Sequence, residues 1–410
     1  MGRSTRLPPL FRKLTAAACG ALAILFFAGF GMDGPQSTIE VEGPVAQYQL
    51  NLFYVTLWVT VFIFITVGGA LAYAQIRFRA RKTDDDKDPP PQTHGHPAVE
   101  VGLIVASTLL LVIIAVPTIK GIWYTADAPN PKDALVVKVT GYQWWFKFEY
   151  PELGVVTANE LVIPTNRPVH IELRTIDVIH SFWVPKLAGK VDLIPNRANH
   201  MWLQADKANY YWAQCAEYCG ESHANMRFRV VSLEATEFQS WVDRQNAEAR
   251  NVAPAAAGDA SYQPRVQFVA DRHDEDLGMA GSPSPFEFWQ YKQAVPEAGQ
   301  EDAALIARGK QLFAAKTCSS CHTVTGHKDA NGNGYAGITG PNLTHFASRT
   351  TIAAALMDNT RANLHRWLDN PNAIKPGNIM WRTGGIGDPN RIKLKNDEID
   401  ALVAYLSSLK

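Results

Sequence analysis

The sequence predicts a multidomain membrane protein made of a two-helix transmembrane hairpin, a small all-β sandwich and an all-α C-terminal unit. Three observations predict it. Two nearly uninterrupted apolar stretches, at about 50–75 and 99–124, each reach the ~20 residues that a bilayer span needs. Short segments rich in valine, isoleucine and aromatics then alternate with turn residues from about 134 to 234, the pattern of a β-sandwich. From about 302 to the end the pattern changes to short helices with long loops, closed by an amphipathic helix over 396–409. A chain of 410 residues leaves room for two or three cores of this kind.

The elements follow in order. Arg3, Arg6, Arg12 and Lys13 precede an apolar run over 16–30, which reads as a secretory signal occupying 1–33. An uncleaved first helix and a lipid-modified Cys19 are the alternatives. The hairpin occupies 45–125. Its inner loop begins with Arg77, Arg79, Arg81 and Lys82, which places the loop in the cytoplasm and both hairpin ends outside. The sandwich occupies 126–240. A linker at 241–300, rich around 253–300 in Ala, Pro, Gly and charge, leads to the last unit at 301–410. With 39 basic and 39 acidic residues, no global field argues for nucleic acid, whereas the apolar spans require membrane lipid.

Only five cysteines occur, too few for a disulfide-stapled domain, and four form two close pairs beside histidines. Cys318-Ser319-Ser320-Cys321-His322 is the attachment pattern for c-type haem. Its two thiols bond the porphyrin, and His322 supplies an iron ligand. A second axial ligand should lie downstream, and two methionines compete for it. Met357 falls in the stretch 352–357, which reads as helical, where methionine is more often core filler. Met380 follows Lys375-Pro376-Gly377-Asn378-Ile379, an irregular loop able to hold a thioether over iron, and is preferred. His327, His345 and His365 read as surface histidines.

Cys215, Cys219, His223 and Met226 place two thiolates, an imidazole and a thioether within twelve residues. Zinc would accept cysteines and histidines, but the methionine favours copper, which in its lower oxidation state takes soft donors. One copper needs a single cysteine, so the second thiolate points to a bridged, dinuclear copper centre. Another imidazole is required, and His180, after a probable strand, can supply it. His170 and His200 sit inside strand-like segments.

From about 303 to 410 the chain resembles small class I cytochromes c, with Gly340-Pro341-Asn342-Leu343 and Asn378-Ile379-Met380 matching that family's haem-contacting segments. From about 45 to 240 it resembles subunit II of haem-copper cytochrome c oxidases, on the hairpin, on the segment from His180 through Met226 and on Gly141-Tyr142-Gln143-Trp144-Trp145-Phe146. The fusion marks the caa-type branch. The resemblance implies a cupredoxin-like sandwich in which His180, Cys215, Cys219, His223, Met226 and the Glu217 carbonyl hold dinuclear copper, called CuA, with a cytochrome c domain behind it. It further implies a magnesium ion reached by the Glu217 side chain and shared with the catalytic subunit, electron transfer to the copper through Trp144, and proton uptake at Glu100. Tyr142 and Phe146 depart from the aromatic pattern, and the residues that usually follow Glu100 are missing.

The implied function is electron transfer within a proton-translocating terminal oxidase of the bacterial inner membrane, copper and haem lying on the periplasmic side. The implied partners are catalytic subunit I, subunit III, and an external cytochrome or quinol-cytochrome c reductase as donor. Competing readings are a CuA subunit of a nitric oxide reductase, a quinol oxidase subunit, a membrane-anchored copper and cytochrome carrier, and a copper chaperone.

Overall fold

Apolar sequence in lipid must pair every backbone N–H and C=O within itself, and a helix does so. In the computed structural model, which describes residues 34–79, 95–252, 284–294 and 302–410, α1 runs Pro44–Arg77 and α2 runs Pro97–Ala126. Each starts with a proline in its first turn, where the missing N–H costs nothing. At 34 and 30 residues they are about 51 and 45 Å long, more than the ~30 Å hydrocarbon core. Both expected spans lie inside them. The expected signal, Cys19, Arg81 and Lys82 fall outside the described residues; Arg77 ends α1 and Arg79 follows.

The helices touch where Gly121 lets the Tyr48 ring approach; a Cβ there would come within 2.7 Å of it. Tyr48 donates to the Pro117 carbonyl at 2.8 Å and stacks on Tyr124 at 5.0 Å between centroids. The helix ends nearest the sandwich are tied to it, Ala46 N–H donating to Leu187 O at 3.1 Å and Trp202 Nε1 to Tyr124 O at 3.0 Å.

Alternating sequence gives ten strands. These are β1 Leu135–Tyr142, β2 Trp145–Tyr150, β3 Val155–Ala158, β4 Glu160–Pro164, β5 Val169–Thr175, β6 His180–Trp183, β7 Val191–Leu193, β8 Asn199–Leu203, β9 Asn209–Cys215 and β10 Arg227–Leu233. They form two five-stranded sheets, β3-β2-β1-β5-β8 and β4-β10-β9-β6-β7. β1 pairs with β5, and β4 with β10, in parallel; the other pairs are antiparallel. In β1, Val137 and Val139 face inward and Lys138 outward, the period-2 pattern of a half-buried strand. Phe146, Phe148, Phe182 and Phe228 are fully buried between the sheets, Phe182 and Phe228 with centroids 4.7 Å apart. Each such ring contributes roughly 1.5–3 kcal/mol over leaving it in water.

The expected linker is partly structured. Helix α3, Ala235–Asn246, runs past the expected boundary at 240 and lays Phe238, Trp241 and Val242 on the sandwich core. Helix α4, Pro285–Lys292, forms inside the region read as linker. Ser284 and Glu287 make a reciprocal capping box, and Trp289 is buried in the sandwich core, which explains why a helix survives among loop-forming residues.

In the C-terminal unit, α5 (Ala303–Ala315) crosses α9 (Asn396–Ser408). Gly309 permits the crossing: a Cβ there would lie 1.9 Å from Ala401 O. Short helices α6 Arg361–Asp369, α7 Pro371–Ile374 and α8 Ile379–Arg382 lie between, with small ribbons of β11 Thr323–Lys328 with β12 Gly334–Ala336 and β13 Thr351–Ile352 with β14 Met357–Asp358. The helix expected over 352–357 is thus a tight hairpin. Ala353, Ala354 and Ala355 are left-handed, with φ of 56°, 64° and 56°. Their helix propensity is overridden because their carbonyls are taken one by one, by Lys375 Nζ (3.1 Å), Arg227 N (3.2 Å) and Arg229 Nη2 (3.2 Å).

Two histidines expected at the surface are buried. His327 is 3% exposed, its Nδ1 2.8 Å from the Tyr405 hydroxyl, because β11 turns it onto α9. His345 is buried with Nε2 3.1 Å from Ala247 O, at the seam between the two units. His365 is part-exposed, 3.7 Å from Asp400. The seam is polar and tightly paired. The Glu160 carboxylate, 5% exposed, accepts from Thr350 N at 2.7 Å, Thr350 Oγ1 at 2.6 Å and Thr351 N at 3.3 Å.

Candidate metal centre and haem site

The copper-type donors sit at strand ends on one edge of the second sheet. His180 begins β6, Cys215 ends β9, Met226 precedes β10, and Cys219 with His223 occupy the connection between β9 and β10. Pairing of β6 with β9 and of β9 with β10 brings these ends together although 46 residues of chain separate the outermost two. Cys215 Sγ lies 3.7 Å from Cys219 Sγ, 4.0 Å from His180 Nδ1 and 3.3 Å from the Glu217 carbonyl oxygen. Cys219 Sγ lies 3.4 Å from His223 Nδ1 and 3.8 Å from Met226 Sδ. Met226 and His180 are fully buried, and both thiols nearly so. His170 and His200 stay out of this cluster, stacked on each other at 5.6 Å.

Spacing and donor softness fit a metal pair. Two sulfurs 3.7 Å apart can share a metal at ~2.3 Å from each, and an imidazole and a thioether beside them suit copper. The second thiolate is the one a single copper has no use for. Without metal, Cys215 is pulled down from the ordinary thiol range, first by its hydrogen bond from Cys219, while the same contact pushes Cys219 up; the pair titrates as one unit.

Asp177 escaped the sequence reading and organises the cage. One oxygen takes His180 Nε2 at 2.8 Å, which turns Nδ1 toward the sulfurs, and the other accepts Gln143 N at 2.7 Å. Burial works against the His180 imidazolium, yet the bonds to Asp177 and Cys215 outweigh it and raise its pKa. Trp144 is 4% exposed and donates Nε1 to the Cys219 carbonyl at 2.9 Å, beside Gln143 Nε2 at 2.8 Å on the same oxygen. The Glu217 side chain leaves the cage and stands 3.5 Å from Lys190 Nζ. Glu100 is exposed in the first turn of α2, at the end away from the sandwich, where a carboxylate suits the helix dipole.

The haem-type residues occupy irregular structure. Cys318 lies in a 3-10 turn at Cys318–Ser320, and Thr317 before it is left-handed (φ 62°). His322 Nδ1 is 2.8 Å from the Pro341 carbonyl, which directs Nε2 away from it, and burial lowers the pKa so that the ring is neutral and free to ligate. Gly340 is required there, since a Cβ would come 2.6 Å from the ring. Burial pushes the Cys318 thiol up to about 12, which keeps the free thiol protonated. Met380 stands at the start of α8, where Asn378 caps the turn by accepting from Trp381 N at 3.0 Å. Met357 lies in β14, paired with Ile352. Both sulfurs are half-buried against the core of the unit.

The two sites are joined directly. Lys375 Nζ, buried, donates to the Trp144 carbonyl at 2.5 Å, and Ser222 Oγ donates to Pro376 O at 2.6 Å. Burial brings the Lys375 ammonium down to about 7, opposed by Cys219. Neither Asp177 nor Lys375 had a local sequence signal.

A buried cage of two thiolates, two imidazoles and a thioether, on a sandwich anchored by two apolar helices and carrying a haem-attachment unit, defines a membrane-anchored electron-transfer protein of copper and haem. Residues 154–233 match the family model described as cytochrome c oxidase subunit II, periplasmic domain, and residues 306–410 match cytochrome c. The chain is 31% identical over 390 residues to cytochrome c oxidase subunit 2 of Alkalihalophilus pseudofirmus, covering 94% of each. It is 31% identical over 403 residues to that of Bacillus subtilis, covering 95% of this chain and 96% of the relative. Quinol oxidase subunit 2 of Bacillus subtilis is also 31% identical, over 243 residues, covering 58% of this chain and 75% of the relative. The chain belongs to the cytochrome c oxidase subunit 2 family, as a fusion of the copper domain with a cytochrome c domain, and serves an oxidase complex whose catalytic subunit is its partner.

Proposed function

We propose that the chain carries single electrons from an external donor to the oxygen-reducing subunit of a terminal oxidase. A haem c would be held by Cys318 and Cys321, with His322 and Met380 supplying nitrogen and sulfur to its iron. The dinuclear copper is held by His180, Cys215, Cys219, His223, Met226 and the Glu217 carbonyl. The observation that carries this reading is the unbroken run of contacts between 3.3 and 4.0 Å that links those copper donors, under a tryptophan close to the haem-side loop. When bound, the two groups supply reversible one-electron exchange at low reorganisation cost.

The protein's residues do the rest. The strand ends and Asp177 keep the donors in one geometry whether or not an electron is present. Neutral His322 offers its lone pair, and a thioether supplied by Met380 would raise the potential of a bound haem. Trp144 bridges the two units through its backbone and its ring. For Glu217 to reach a magnesium ion shared with subunit I, its side chain must turn from Lys190. Glu100 at the inner end of α2 is the candidate for proton uptake, and proton translocation would belong to the assembled complex. We assign the chain to the bacterial inner membrane, with α1 and α2 spanning it, the copper and haem units on the periplasmic side, and subunit III and a cytochrome or quinol-cytochrome c reductase as neighbours.

This chain, separated from the catalytic subunit, should contain two tightly bound coppers per haem c, and the purified complex should consume oxygen; uptake of nitric oxide in place of oxygen would favour the reductase reading. Iron without copper would end both, and one exchangeable copper would point to a chaperone.

A further inference from the structure

We propose that Lys375 is a positioning residue for the electron step: by binding the carbonyl oxygens of Trp144 and Ala353 it fixes the loop ahead of Met380 against the Trp144 indole and closes that indole to outside donors. This rests on the reading above that electrons run from haem to copper, and says which side chain sets the contact they cross.

The observations converge on one point. Lys375 is 3% exposed and Trp144 4%, so neither meets solvent. Lys375 Nζ donates to Trp144 O at 2.5 Å and to Ala353 O at 3.1 Å. Burying an ammonium is costly unless its partners are worth the desolvation, and an apolar residue would fill the space more cheaply. Here the Nζ donors draw together three backbones: the tryptophan loop, the left-handed alanine turn and the loop before Met380. The alanine turn is itself fastened to β10, by Arg227 N on Ala354 O and Arg229 Nη2 on Ala355 O, both at 3.2 Å. Two residues beyond Lys375, Gly377 is left-handed (φ 72°) and so close to Trp144 that a Cβ would come 3.1 Å from the ring. The opposite edge of that ring donates to Cys219 O. One indole therefore spans from the methionine loop to the copper cage, and the cytochrome unit occupies the place where a soluble donor would have to stand. The step moves a single electron, ferrous iron becoming ferric as the copper pair is reduced by one; no bond forms and no proton moves.

The test uses the whole complex carrying Lys375→Met, which keeps the length and removes the Nζ donors. After photoreduction of the haem, transfer to copper should slow by roughly ten- to a hundredfold, the scale set by misplacing reacting groups by about 1 Å. The haem absorption and copper paramagnetic signals should keep their shapes. Two readouts report geometry without turnover. Hexaammineruthenium(II) should reduce the copper directly and faster than in the unaltered complex, and amide exchange should quicken at Gly377 and Asn378. Should Lys375→Met not assemble, Gly377→Ala wedges the same contact open and should slow transfer in the same direction. Unchanged transfer in the assembled variant overturns the role of Lys375. Absence of haem-to-copper transfer in the unaltered complex overturns the functional reading and this proposal with it.

Discussion

In the sandwich, the copper donors stand at the ends of paired strands, and the sheets that hold them have a core of their own, built on Phe146, Phe182 and Phe228. In the C-terminal unit the haem-type residues lie in a 3-10 turn, a loop and a one-turn helix, and Cys318, Met357 and Met380 are only half-buried against its core. The difference teaches that a preformed cage and a site completed by its own cofactor respond differently to loss of that cofactor. The first should keep its fold and lose only the metal. The second should lose part of its fold.

Paired substitutions break the comparison most severely. Cys321→Ser, which on the proposed attachment removes one of two haem links, should cost the C-terminal unit at least about 4 kcal/mol, at the upper end for one substitution, read as protease sensitivity confined to 302–410. Cys219→Ser should abolish the mixed-valence copper signal yet shift sandwich unfolding by only about 2–4 °C. Equal losses in the two units would refute the contrast. Next in size, Met380→Ala should lower the haem potential by on the order of 100 mV within the ~0.8 V that axial ligands span, with loss of the methionine–iron band; if Met357→Ala does this instead, the ligand is misassigned.

Removing the group behind a ligand sharpens the same comparison on the copper side. Asp177→Ala should weaken copper binding by about 10–100-fold, measured by competition with a chelator, and leave haem content unchanged. The smallest effect concerns the seam. Burial raises the Glu160 pKa against the opposing hydrogen bonds of Thr350, so the docked state favours the protonated acid. Its contribution is complete below the ordinary carboxylate range and is lost as pH rises through the raised value. Glu160→Gln should therefore flatten the pH dependence of docking and strengthen it near neutrality by on the order of 1 kcal/mol, seen by amide exchange at Thr350 and Thr351.

Local spacing marked the copper-type and haem-type residues, because Cys215 through Met226 and Cys318 through His322 each fall within a few positions. Asp177 and Lys375 were not, since an acid or a lysine has no signal until folding supplies its partner. The alanines at 353–355 misled because intrinsic propensity is weak beside three carbonyls claimed from outside the segment. His327 and His345 misled for a related reason: the chain that buries them is distant in sequence. Helix α4 did carry a sign, Ser284 three residues before Glu287, but the Pro- and Gly-rich composition around it pointed the other way.

Trp289 pins the connecting chain to the sandwich, and the C-terminal unit begins at Asp302, only eight sequence positions after Ala294. A leash that short keeps its cargo at an effective concentration of order millimolar. A haem unit that let go would rebind its own copper domain before it could visit a neighbour. On the proposed reading, each complex would keep its own last electron carrier beside the copper.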